Sequence, residues 1–173
     1  LALAKSYVIE GNFGFLPRAK TAGVSICDSA TARVAACLYY DYLSWDPDDA
    51  ALGQGALHRV GLATAMPLAP QLSLGINQKY SSFTLEDNAG VNIAEQSASG
   101  YSLDAGLIVR MSQTVNLGVV GYNLITANEA VFERAFGGGL AINASPTLMI
   151  AGDVRYDFEK DAARYSGGAE YFV

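Results

Sequence analysis

The feature that most constrains this chain is a two-residue rhythm that is rewritten along almost its whole length. In "QLSLGINQKY" (Gln71–Tyr80), apolar residues alternate with small or polar ones, and "TLMIAGDVRY" (Thr147–Tyr156) and the looser "TVNLGVVGYNL" (Thr114–Leu124) repeat the pattern. A period of two puts successive side chains on opposite faces of a strand, whereas a helix requires recurrence at three and four. The pattern predicts roughly ten strands, near Tyr7–Leu16, Thr21–Cys27, Arg33–Leu43, Leu57–Met66, Gln71–Phe83, Gly100–Met111, Thr114–Ile125, Phe132–Asn143, Thr147–Phe158 and Ala163–Val173, and no convincing helix.

The split between faces is consistent. From Gln71, Leu72, Leu74, Ile76 and Tyr80 oppose Ser73, Gly75, Asn77, Lys79 and Ser81. From Gly100, Tyr101, Leu103, Ala105, Leu107, Val109 and Met111 oppose Ser102, Asp104, Gly106 and Arg110; from Thr147, Leu148, Ile150, Val154 and Tyr156 oppose Ala151, Asp153, Arg155 and Asp157. No apolar run approaches the ~18 to 20 residues of a membrane-spanning helix, which leaves a closed β-barrel as the way such a chain could satisfy its backbone in lipid. A basic residue on a lipid face costs ~2 to 4 kcal/mol near the midplane, so the charged face is expected inside the barrel or in water.

The connections point the same way. "PLAP" (Pro67–Pro70), "SQT" (Ser112–Thr114) and "ASPT" (Ala144–Thr147) are tight, while Trp45–Ala56 and Leu85–Ser99 are long and polar. Short turns at one end and long loops at the other describe an outer-membrane barrel. Tyrosines near strand ends, in "YYDYLSW" (Tyr39–Trp45) and at Tyr80, Tyr101, Tyr156 and Tyr171, are expected in an interfacial girdle. Glycines within strands, notably "FGGGLAI" (Phe136–Ile142), suggest bends, bulges or space for something inside.

Totals exclude several classes. The 173 residues are 51% hydrophobic and 16% charged, which suits one folded domain, and the net charge of −6 without any Lys/Arg run gives no footprint for nucleic acid. A single histidine, His58, lies on the side of Val60 and Leu62 with no nucleophile motif beside it, so a strand-end place at headgroup level is expected rather than catalysis. One His and two Cys make no zinc site, and no cofactor is expected. The acidic loop Asp46–Asp49 reads as solvated, or bridged to lipopolysaccharide by divalent cations, more readily than as a calcium site. Cys27 and Cys37 lie on neighbouring strands on the polar side; they either bridge, in an oxidising periplasm, or are two small buried thiols in an offset register. Lys79, Asp104, Arg110, Asp153, Arg155 and Glu170 are the inward charged set, expected to line a pore or to form a salt-bridged plug.

The stretches "HRVGLATAMPLAPQLSLGINQKY", "GYSLDAGLIVRMSQTVNLGVVGYNL" and "FGGGLAINASPTLMIAGDVRY" resemble the PorV/PorQ-type outer-membrane proteins, distant relatives of the FadL long-chain fatty-acid transporters. The resemblance rests on a repeated hairpin of strand, short turn with Ser-Pro or Ala-Pro, and Leu-x-Leu-Gly, over about two thirds of the chain. It implies an integral, antiparallel barrel of a Gram-negative outer membrane. Members of that family are larger, so the 173 residues would be one domain incomplete at one or both ends; "SGGAEYFV" (Ser166–Val173) nonetheless resembles a barrel-assembly signal. For function the resemblance implies an adaptor for secretion or surface assembly, with envelope proteins as partners beside lipid and lipopolysaccharide. The alternatives are a FadL-like channel for hydrophobic small molecules, or a soluble β-barrel binding protein with its apolar face turned inward. No chemical step is expected of any of them.

Overall fold

A computed structural model describes residues 6–46, 54–86, 97–127 and 132–171. These form one antiparallel sheet of ten strands in sequence order: β1 (Tyr7–Leu16), β2 (Ala19–Asp28), β3 (Ala35–Trp45), β4 (Gln54–Ala69), β5 (Leu72–Glu86), β6 (Ala98–Arg110), β7 (Val115–Thr126), β8 (Ala135–Ser145), β9 (Leu148–Asp157) and β10 (Ala162–Tyr171). Each strand pairs with its sequence neighbours, and among the described residues β1 and β10 are not paired with each other. The sheet is curled, since side chains from β3 and from the turn after β9 line one common cavity. The expected strands are all present, with ends displaced by a few residues.

The faces are sorted opposite to those of a water-soluble core. Asp157 is 1% exposed and Asp104 7%, whereas Ile150 is 48% and Val119 50% exposed. No Leu, Ile or Val is among the buried side chains of the described residues. The apolar face runs from Ile9, Phe13 and Phe15 on β1 to Tyr165 on β10, far beyond the few hundred Å² that a soluble monomer exposes. This overturns the inside-out soluble alternative, which required the leucines inside and the charges outside.

The ends differ as expected, with exceptions. β4–β5, β6–β7 and β8–β9 turn tightly at one end, where β2–β3 also turns; the opposite end carries the wide sequence gaps from Trp45 to Gln54 and from Glu86 to Ala98. At that same end, however, β1 and β2 join through Pro17 and Arg18 alone. The long segments 47–53 and 87–96, and with them most of the acidic loop expected to be solvated or bridged to lipopolysaccharide, lie outside the described residues.

Tyr40, Tyr80 and Tyr101 stand on the outer face in one row across the strands, because Tyr40 opposes Val60, Val60 opposes Tyr80, and Tyr80 opposes Tyr101. His58 joins them from β4, its Nδ1 2.8 Å from the Tyr40 hydroxyl and its ring 5.0 Å from that of Tyr42. Further round, Phe158 meets Phe136 and Tyr156 edge to face. This is the geometry of an aromatic belt on the long-gap side. Tyr39 is the correction: alternation turns it inward, where its hydroxyl donates to Asn77 Oδ1 at 3.1 Å.

Cys27 and Cys37 are directly opposed and bonded, so the offset-register alternative does not hold. Below them the Asp28 carboxylate accepts from the backbone of Ala30 and Thr31 and closes the turn. Closing so short a loop contributes about 2 to 3 kcal/mol by chain entropy. Cys27→Ser with Cys37→Ser is therefore expected to lower unfolding stability by that amount, read by urea titration, with wild type under reducing conditions matching the variant.

Candidate lumen site

The inward face carries two cavities in line along the strand direction. The one toward the long-gap end measures about 530 Å³ and is lined by Tyr39, Leu57, Arg59, Lys79, Phe83 and Lys160 among others. The one toward the tight turns measures about 690 Å³ and is lined largely by small or apolar residues, including Ala63, Ala65, Gly75, Gly118 and Ile108. Four side chains belong to both walls: Asn77, Asp104, Tyr122 and Arg155. They form the layer that separates the two spaces.

Asp104 organises that layer. Its two carboxylate oxygens each accept from Lys79 Nζ at 2.7 Å, Oδ2 accepts from Asn77 Nδ2 at 3.2 Å, and Oδ1 accepts from the backbone N–H of Asn123 at 2.8 Å. β5 supplies Lys79 and Asn77 because residues two apart share a face, and the register sets Asn77 opposite Asp104. The contact with Asn123 exists because β7 is bulged: Leu103 pairs with Ile125 but Ala105 pairs with Gly121, so Tyr122, Asn123 and Leu124 crowd against the one residue Asp104. Asn123 takes a left-handed φ of 53°, which asparagine tolerates better than most residues, and its Nδ2 donates to the Glu133 carbonyl at 2.7 Å.

Arg155 closes the layer from β9. Its Nη2 and Nε donate to Asp157 Oδ1 at 2.9 and 3.2 Å, and its guanidinium carbon lies 4.7 Å from the centre of the Tyr122 ring. Arg164 of β10 stands 3.9 Å from the same carboxylate. At the rim Lys160 meets Glu133 at 2.5 Å. Arg59 donates to Ser81 Oγ at 3.3 Å and sits directly across from Asp41.

Of the expected inward set, the structure brings Lys79, Asp104 and Arg155 together and places Asp153 on the wall of the larger cavity. Arg110 and Glu170 share the inward face but not the site: Arg110 ends β6 beside the tight turns, and Glu170 lies on the edge strand opposite Met149. Arg59, Asn77, Asn123, Tyr122 and Asp157 complete the site. Among the described residues no group of three metal-ligating side chains occurs.

No protein-family model matches the chain, and no curated protein sequence matches it. Among solved structures, the chain is similar to a NanC porin: the two are 8% identical, superpose with a TM-score of 0.54, and align over 97% of this chain and 100% of that one. The likeness supports the outer-membrane β-barrel fold in general and does not extend to PorV, PorQ or FadL in particular.

Proposed function

We propose that the chain is an integral outer-membrane β-barrel through which small solutes pass, a role without a chemical step. The observation that carries this reading is the pair of cavities in line along the strands, parted by only a single layer of side chains. The glycines strengthen it. At Gly75 and Gly118 neither backbone dihedral requires glycine, and an added Cβ would meet nothing nearer than 3.9 and 4.0 Å. A β-branched residue would stabilise each strand, so glycine there keeps volume free at a cost to the sheet. A plug of interlocked side chains would fill that volume instead.

The apolar outer face is proposed to meet outer-membrane lipid, with lipopolysaccharide at the level of Tyr40, His58, Tyr80 and Tyr101. A PorV-like adaptor would offer its long segments as docking surface over a sealed lumen; those segments fall mainly in 47–53 and 87–96, outside the described residues, and the two cavities leave only the single layer at Asp104 and Arg155 to form a seal. A FadL-like path for hydrophobic molecules has the apolar wall of the larger cavity in its favour, but such a solute would have to cross the charged layer at Asp104 and Arg155. The test is conductance of the refolded protein in planar bilayers. Gly75→Leu with Gly118→Leu is expected to lower single-channel conductance by half or more while heat modifiability on gels is retained; an unchanged conductance would sink the reading.

A further inference from the structure

Resting on that reading of the bore as a passage, we propose that its solutes are small, uncharged and polar, of the polyol and sugar class. The layer a solute must cross is rich in charge, yet most of that charge is paired: Lys79 with Asp104 and Arg155 with Asp157, while Arg59 donates to Ser81 and has Asp41 at the register position directly across from it. Lys160 and Glu133 cancel at the wider rim. An ion entering this layer meets little net field, whereas an uncompensated ring of one sign concentrates its counter-ion by an order of magnitude or more.

The same side chains are well made for hydroxyl groups. Tyr39 and Asn77 present a hydrogen-bonded donor and acceptor pair, Arg155 lines the same cavity, and Tyr122 and Phe83 supply aromatic faces. A hydrophobic solute would cover these polar groups without replacing their hydrogen bonds with water, which is unfavourable. A polyol replaces them. Of the remaining inward charges, Asp153 lies on the wall of the larger cavity, where it adds a weak preference for cations, and Glu10, Arg110, Arg164 and Glu170 lie outside both cavities.

The experiment is the reversal potential of the refolded protein in a planar bilayer under a KCl gradient, with swelling of protein-bearing liposomes in matched neutral and charged solutes. Wild type is expected to show a K⁺ to Cl⁻ permeability ratio within about threefold of one, against the tenfold or more of an uncompensated ring. Liposomes are expected to swell faster in glucose and sorbitol than in gluconate or glucosamine. Lys79→Gln leaves Asp104 unanswered and is expected to turn the bore cation-selective; Asp157→Asn leaves Arg155 unanswered and is expected to turn it anion-selective.

Because each of these variants also removes a buried partner, Gly75→Asp is the companion: all the pairs stay intact and the new side chain enters open space. It is expected to shift selectivity toward cations severalfold. Strong ion selectivity in wild type overturns the proposal, as does faster passage of a fatty acid than of glucose. Folded, heat-modifiable protein that conducts nothing overturns the passage reading itself, an outcome distinct from both.

Discussion

Asp104→Ala is expected to destabilise the folded chain by about 3 to 5 kcal/mol, the range for stripping one partner from a buried ion pair. The side chains of Lys79 and Asp104 are only 12% and 9% exposed, so the ammonium left behind would have little water to turn to. The change also leaves Asn77 Nδ2 and the N–H of Asn123 without their acceptor and so frees the β7 bulge. Urea titration in bilayers measures the loss. Asp104→Leu combined with Lys79→Met removes the unpaired charge and is expected to recover most of it, because well-packed apolar replacements of a buried pair are often neutral. A cost below ~1 kcal/mol for Asp104→Ala, the worth of an exposed pair, would mean that the layer is open to solvent.

The second large effect separates two adjacent residues. Alternation from the inward Asp104 turns Leu107 outward, in register with Leu74 and Val119, and Ile108 inward, in register with Ser73 and Gly118. Leu107→Arg is expected to cost ~2 to 4 kcal/mol when the protein is folded in a bilayer, since the guanidinium would lie near the middle of the lipid. Ile108→Arg places the same group one residue on, in the lumen, and is expected to cost clearly less. Paired unfolding titrations in lipid vesicles check this, and equal costs at the two positions would remove lipid from the outer face.

The alternation in Gln71–Phe83, Gly100–Met111 and Thr147–Phe158 was enough to read the strands, the two faces and the side on which Lys79, Asp104, Asp153 and Arg155 lie, because a strict period of two leaves no other face available. It put Arg110 and Glu170 on the same face as these, yet could not say that one would end at the rim and the other on an edge strand. Height along a strand depends on register between strands, which a single-strand pattern does not carry. The bulge at Asn123 was hidden for a related reason. Its only trace is an asparagine in a glycine-flanked run, and the crowding against Asp104 arises from a mismatch with β6. The opposition of Arg59 and Asp41 appears only once β3 and β4 are aligned.

Neighbour-only pairing has a consequence for how such a chain can change over generations. With every strand hydrogen-bonded to those adjacent in sequence, a hairpin is a self-contained unit. Duplicating one adds two strands, preserves the antiparallel parity and the inside-outside sense of every other strand, and widens the bore, whose diameter grows with strand number. Deleting one narrows it by the same rule. The echo of Gln71–Tyr80 in Thr147–Tyr156 is what such copying would leave behind, and it makes the width of the sheet a quantity that can be adjusted in whole hairpins without redesigning the parts that remain.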